Sequence, residues 1–252
     1  MAKKKPRTPT PPRVQAPQQR ATSRNQKRQP TLTPDDGDKA RKVLYGVAAL
    51  GFLGLIVAVA LVALGGSSTS SAAVAKDMSA AGCTFKNVTA YVPAGQGTHV
   101  NSLTKKFPWN TSPPSNGQHY PLWAVWGFYT EPINPRQVVH NEEHGGVVVW
   151  WGSKVPASTV SQLHDWYNEK STGSFGTPYA SLGSKIAITA WTGDTSRYQQ
   201  HGYYGEGHIA TCPSYTAQTK KAFEAFRNAY RGKGPEGIPL SADKPGMGPP
   251  TS

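Results

Sequence analysis

Residues 140 to 146 read His-Asn-Glu-Glu-His-Gly-Gly. His140 and His144 are four residues apart, so they share a face on a helix and also on a strand. Either conformation lets two imidazoles converge. The spacing H-x-x-E-H is the inverted zincin pattern, in which two histidines hold zinc and the glutamate activates water. Glu143 is the residue in that position, and it is the one candidate for a catalytic role. Gly145 and Gly146 argue against a protease, because they end a helix that a zincin would have to continue. A further histidine, His119, lies in a proline-shaped loop. His119, His140 and His144 with one carboxylate, Glu143 or Glu236, would suit Zn²⁺ or Cu²⁺. Soft Cu(I) ligation is disfavoured, since Met78 and Met247 lie near the ends of the segment. His99, His164, His201 and His208 are scattered and read as surface or hydrogen-bonded histidines. Three readings of the motif stay open: a metal site, a hydrolytic centre, and a buried hydrogen-bond network that fixes the chain beside a tight Gly turn.

The elements that must position these residues follow a partition set by residues Val43 to Leu64. Those 22 positions hold no charge, no amide and no proline. A helix of that length covers about 33 Å, enough for a hydrocarbon core of about 30 Å. Residues 1–42 carry 12 Lys/Arg and 3 Asp, a net charge of +9. Basic residues stay on the cytoplasmic side, so the expectation is a single-pass cell-membrane protein with a cytoplasmic amino terminus and an extracytoplasmic carboxy-terminal domain. The alternative is a signal peptide cleaved after Ala75, in the small-residue run Ala73-Val74-Ala75, but the apolar run exceeds the usual signal length of about 7–15 residues. The basic tail would meet the bilayer and its anionic lipids. It has no aromatic residue to stack a base, which disfavours nucleic acid.

Residues 1–42 lack the apolar content to fold and are expected to be disordered. Residues 65–80 read as a flexible spacer. A globular domain is expected over 81–233, and a Pro/Gly-rich disordered tail over 234–252. Within the domain, strands are expected at Thr84 to Val92, Leu122 to Tyr129, Val147 to Trp151 and Lys185 to Thr192. Helices are expected after Asn134-Pro135, at Ser158 to Lys170 and at Ser214 to Arg231. The class is α+β: one mixed α/β domain behind a membrane anchor. The two cysteines, Cys83 and Cys212, both fall outside the expected membrane and have no spare partner, which predicts one disulfide.

Asn116-Gly117-Gln118-His119-Tyr120-Pro121, Trp123 to Tyr129 and His140 to Val148 resemble a family of bacterial membrane-anchored proteins, frequent in actinobacteria and known as a domain of unknown function. Thr189-Ala190-Trp191 and Gly234-Pro235-Glu236 fit the same resemblance, which spans roughly residues 80 to 238. It implies a membrane-tethered domain of the cell envelope and no particular reaction. Three roles are therefore open: a structural or interaction protein, a metal-binding protein, and a glycan-binding module that stacks sugars on Trp and Tyr. The sequence points to binding more than to catalysis, with other envelope proteins or glycans as partners.

Overall fold

A computed structural model describes residues 70–249. The expected span at Val43 to Leu64 and the basic tail lie outside the described residues. Among the described residues no helix is long and apolar enough to cross a membrane.

The fold is a mixed α/β domain built on one five-stranded sheet. Its strands are β1 (Thr84–Thr89), β2 (Val147–Trp151), β3 (Ser174–Pro178), β4 (Ile186–Thr192) and β5 (Glu206–Cys212), in the order β1-β5-β4-β2-β3. Only β2 and β3 run parallel; the other neighbours are antiparallel. Four helices complete it: α1 (Ser71–Ala80), α2 (Pro135–Glu143), α3 (Ala157–Glu169) and α4 (Ala217–Tyr230).

Strand β2 reads Val-Val-Val-Trp-Trp, and all five side chains are buried. Side chains alternate across a strand, so a continuous apolar run requires cover on both faces. Val147, Val149 and Trp151 join Ile186, Ile188 and Ala190 under α1, α3 and α4. Val148 and Trp150 face the other way, with Ala187, against Val138 of α2 and the loop residues Ala124 and Trp126. Helix α4 contributes Ala222, Phe223, Phe226 and Tyr230 at helical spacing. Truncating either phenylalanine to alanine would cost about 3–5 kcal/mol.

The Cys83–Cys212 disulfide is present and joins the start of β1 to the end of β5. It lies beside the first register pair, Thr84↔Thr211.

Three expectations are corrected, and two strands are added. The stretch read as a spacer contains α1, because Val74 and Met78 reach the core from one face of it. Leu122 to Tyr129 is not a strand. It meets the sheet only at one parallel bridge, Phe128↔Gly176 of β3, and Asn141 clamps Ala124 by accepting from its N–H at 3.0 Å and donating to its carbonyl at 2.9 Å. The tail after residue 233 is ordered through the described residues. Gly246 N–H donates to the Trp126 carbonyl at 2.8 Å, and Trp126 N–H donates to that of Met247 at 2.8 Å. Strands β3 and β5 were not anticipated, since Ser-Phe-Gly-Thr-Pro and Glu-Gly-His-Ile-Ala-Thr-Cys carry Gly, Pro and His where strand signals are sought. Helix α3 starts one residue before the expected Ser158, after Pro156 and with no side-chain cap.

Candidate metal centre

Helix α2 starts where the sequence says it should. Asn134 caps it by accepting from Arg136 N–H at 3.1 Å, and Pro135 takes the first helical position. The helix is short, and its last turn presents His140 and Glu143 to one side. Gly145 ends it with φ +107°, a conformation that favours glycine.

The other two members come from the long stretch between β1 and α2. His99 and His119 are set side by side by a parallel β-bridge. Val100 N–H donates to the His119 carbonyl at 2.8 Å, and His119 N–H donates to that of Thr98 at 2.9 Å. The three rings of His99, His119 and His140 then lie with centroids 4.8–4.9 Å apart.

All three imidazoles face one atom, Oε2 of Glu143. Nε2 of His119 is 2.9 Å from it, Nε2 of His99 3.1 Å, and Nε2 of His140 4.0 Å. The other oxygen, Oε1, accepts from the Tyr198 hydroxyl. Glu143 has no exposed side-chain surface, and His99 forms the one accessible edge at 38%.

The ring tautomers are set from behind. Nδ1 of His119 lies 2.8 Å from the Gly117 carbonyl, and Nδ1 of His140 3.0 Å from that of Tyr120. A carbonyl only accepts, so each Nδ1 carries the proton and donates, which frees Nε2 in the neutral ring. Backbone carbonyls behind metal-bound histidines do the same work. Nε2 of His119 is buried and, despite its closeness to Glu143, is out of line for a hydrogen bond. A buried nitrogen with no hydrogen-bond partner, facing a carboxylate oxygen, is a lone pair available to a cation.

Electrostatics separate the two adjacent glutamates. Burial alone would raise the Glu143 carboxyl. The neighbouring His119, with hydrogen bonds from His99 and Tyr198, outweighs it and holds Glu143 well below the usual carboxylate range. Glu142 is fully buried, and burial, opposed only by Thr189, pushes its carboxyl well up. Burial, then the neighbouring His119, pulls His140 down to about 3. His140 is therefore neutral near pH 7. The hydrogen bond to Glu143 raises His99 against the effect of burial. Burial and the Glu143 carboxylate raise Tyr198, which stays a neutral donor.

A second group adjoins the first. His140, His144 and Glu236 bring one donor atom each within 4.8 Å of one another. Nε2 of His144 is 3.4 Å from Oε2 of Glu236, and Nδ1 is 3.5 Å from Oδ1 of Asp243. Glu236 is delivered by the loop after α4, which is laid on the end of α2. Gly232 N–H donates to the Gly145 carbonyl at 2.8 Å. A Cβ at Gly234 would meet the Glu143 carbonyl oxygen at 2.2 Å, so only glycine permits the approach.

The structure thus divides the residues singled out by sequence. His119 and His140 share a centre in which Glu143 is itself a donor. His144 and Glu236 stand next to it, linked through His140. His99 was missed: nothing local marks it, and its place depends on a bridge to a residue twenty positions away. Tyr198 and Asp243 were missed because they reach Glu143 and His144 only through tertiary contact.

The fold and site define an α/β domain, closed by a disulfide, with a buried His/Glu cluster able to hold a metal ion. Residues 99–238 match the family described as "Protein of unknown function (DUF3105)", and the chain belongs to that family. The match contains all four cluster residues. No curated protein and no solved structure matches the chain.

Proposed function

We propose that this domain binds one transition-metal cation, Zn²⁺ or Cu²⁺, through Nε2 of His119 and His140, a ring nitrogen of His99 and Oε2 of Glu143. The observation that carries it is the convergence of three imidazoles on one buried carboxylate oxygen. Around a tetrahedral ion with bonds of about 2.0–2.1 Å, neighbouring donors stand about 3.3–3.4 Å apart. The three distances of 2.9, 3.1 and 4.0 Å bracket that spacing. The donor set has three nitrogens, one oxygen and no sulfur, which suits these two ions. Four protein donors fill a tetrahedral ion and leave no position for a substrate, so the reading is a binding protein and not a hydrolase.

The setting we propose is the outer side of a bacterial cell membrane, behind the apolar run Val43 to Leu64. The disulfide supports an oxidising compartment. Cleavage after Ala75 would cut α1 and take Val74 out of the core, which favours an uncleaved anchor. A reporter fused after Ser252 that is active only in the cytosol tests this, and activity there would overturn it.

A second reading has one observation behind it. Glu143 already accepts from Tyr198 and His99, so the cluster satisfies itself in part as a hydrogen-bond network. The domain would then be a structural or interaction module. Metal analysis of the purified chain separates the two. Binding predicts one ion per chain after incubation with zinc or copper, lost in His140→Ala. No bound ion in the parent refutes the metal reading.

A further inference from the structure

The adjoining group has the same construction as the centre. Nδ1 of His144 is backed by Asp243, whose carboxylate is buried with no hydrogen-bond partner. That leaves Nε2 of His144 facing Glu236. A carboxylate behind a histidine, aiming its far nitrogen at a carboxylate, is the arrangement that supports metal-bound imidazoles. His140 belongs to both groups. Its Nδ1 is committed to Tyr120, so it has one free lone pair, on Nε2. One lone pair serves one ion.

We propose that His140, His144 and Glu236 form a second, outer station for the same cation, and that the two stations exclude each other. The inference rests on the metal reading above. An ion at the inner station uses His140 with His99, His119 and Glu143. An ion at the outer station uses His140 with His144 and Glu236, and water completes its coordination. His140 stays a ligand throughout while its companions are exchanged. No bond of the protein is made or broken besides those to the metal, and the ion keeps its oxidation state. The cation is then cargo passed across the domain.

Electron paramagnetic resonance of Cu²⁺ bound to the full-length chain in detergent counts the coordinated nitrogens. The parent should bind one ion with three nitrogens. The double variant His99→Ala plus His119→Ala keeps the outer station and should bind one ion with two nitrogens. Its affinity should be weaker by at least the roughly 10–100-fold that losing a supporting group alone causes. Adding His144→Ala should abolish that signal. If the double variant fails to fold, His99→Ala alone serves, because His99 is the most exposed member. Adding His144→Ala to it should then change the copper spectrum. A double variant that binds no copper, or a signal indifferent to His144→Ala, overturns the outer station while the inner site stands. Two ions per parent chain overturn mutual exclusion. A parent that binds none removes both readings together.

Discussion

Glu143→Gln separates the metal reading from the architectural one, because the amide matches the carboxylate in shape and lacks its charge. In the variant, Oε1 can still accept from the Tyr198 hydroxyl, and the new NH₂ can donate to the free Nε2 of His119. Charge-assisted hydrogen bonds worth about 1.5–3 kcal/mol are weakened. A buried charge is removed as well, and its desolvation cost of several kcal/mol is relieved. The two effects offset, so without metal the variant should lie within about 1 kcal/mol of the parent. With metal the two diverge. Free ion at 100 times its Kd stabilises the parent by about 2.7 kcal/mol. For a domain of this size each kcal/mol moves Tm by about 2–4 °C, so the parent should gain about 5–11 °C. The variant has lost its anionic donor and should gain little at the same concentration. Thermal melts of the full-length chain in detergent, with zinc, with copper and with chelator, read this directly. A parent midpoint identical in all three conditions refutes the argument. So does a variant that gains as much as the parent.

The Cys83–Cys212 bond has a sequence separation of 129 residues. Chain entropy for a loop of this order gives about 4–5 kcal/mol, so Cys212→Ser should shift the urea midpoint strongly downward, and an unchanged midpoint would refute that estimate. His208 is buried against Tyr230 between Thr192 and Asn87, and burial lowers its imidazole to about 4. Below an ordinary value near 6.5 the unfolded chain takes up a proton that the folded one refuses. Stability should therefore fall as pH drops from about 6.5 to about 4, by up to about 3 kcal/mol. His208→Gln, melted in chelator, should flatten that window relative to the parent; an equal slope would contradict the assignment. Gly234→Ala places a methyl against the Glu143 and His144 backbone, so the loop carrying Glu236 must lift. We expect a lower Tm and a changed Cu²⁺ spectrum, whereas a spectrum identical to the parent's would show that Glu236 is not held there by this approach.

Local signals in the sequence were reliable where local physics decides the outcome. Asn134-Pro135 names its own helix start, β2 is a run that only a covered strand can hide, and α4 shows its apolar spacing openly. The failures have a common cause in tertiary pairing. Leu122 to Tyr129 has strand composition, but Asn141 takes the amide and carbonyl of Ala124 that a ladder would need. Strand β5 is held in the sheet by β1 and β4 on either side, more than by its own residues. The motif at 140–144 was legible, and so was the choice of His119. The partition into two groups was not, because it turns on which nitrogen each ring has free. His99 could not be read at all, since its partner is set by a bridge between two irregular segments.

That bridge has a consequence for how the domain breathes. Between β1 and α2, residues 90–134 hold no helix or strand of their own. Ordered loops of such length are uncommon unless something fastens them. Here His99 and His119 are fastened beside α2 and Tyr198 through Glu143. The stretch should therefore open as one cooperative unit whose opening free energy follows the free concentration of the ion. In hydrogen exchange, the amides of Val100 and His119 should slow together when metal is added, while those of β2 stay as they were. On the proposed metal reading, the order of this loop becomes a readout of the free ion concentration.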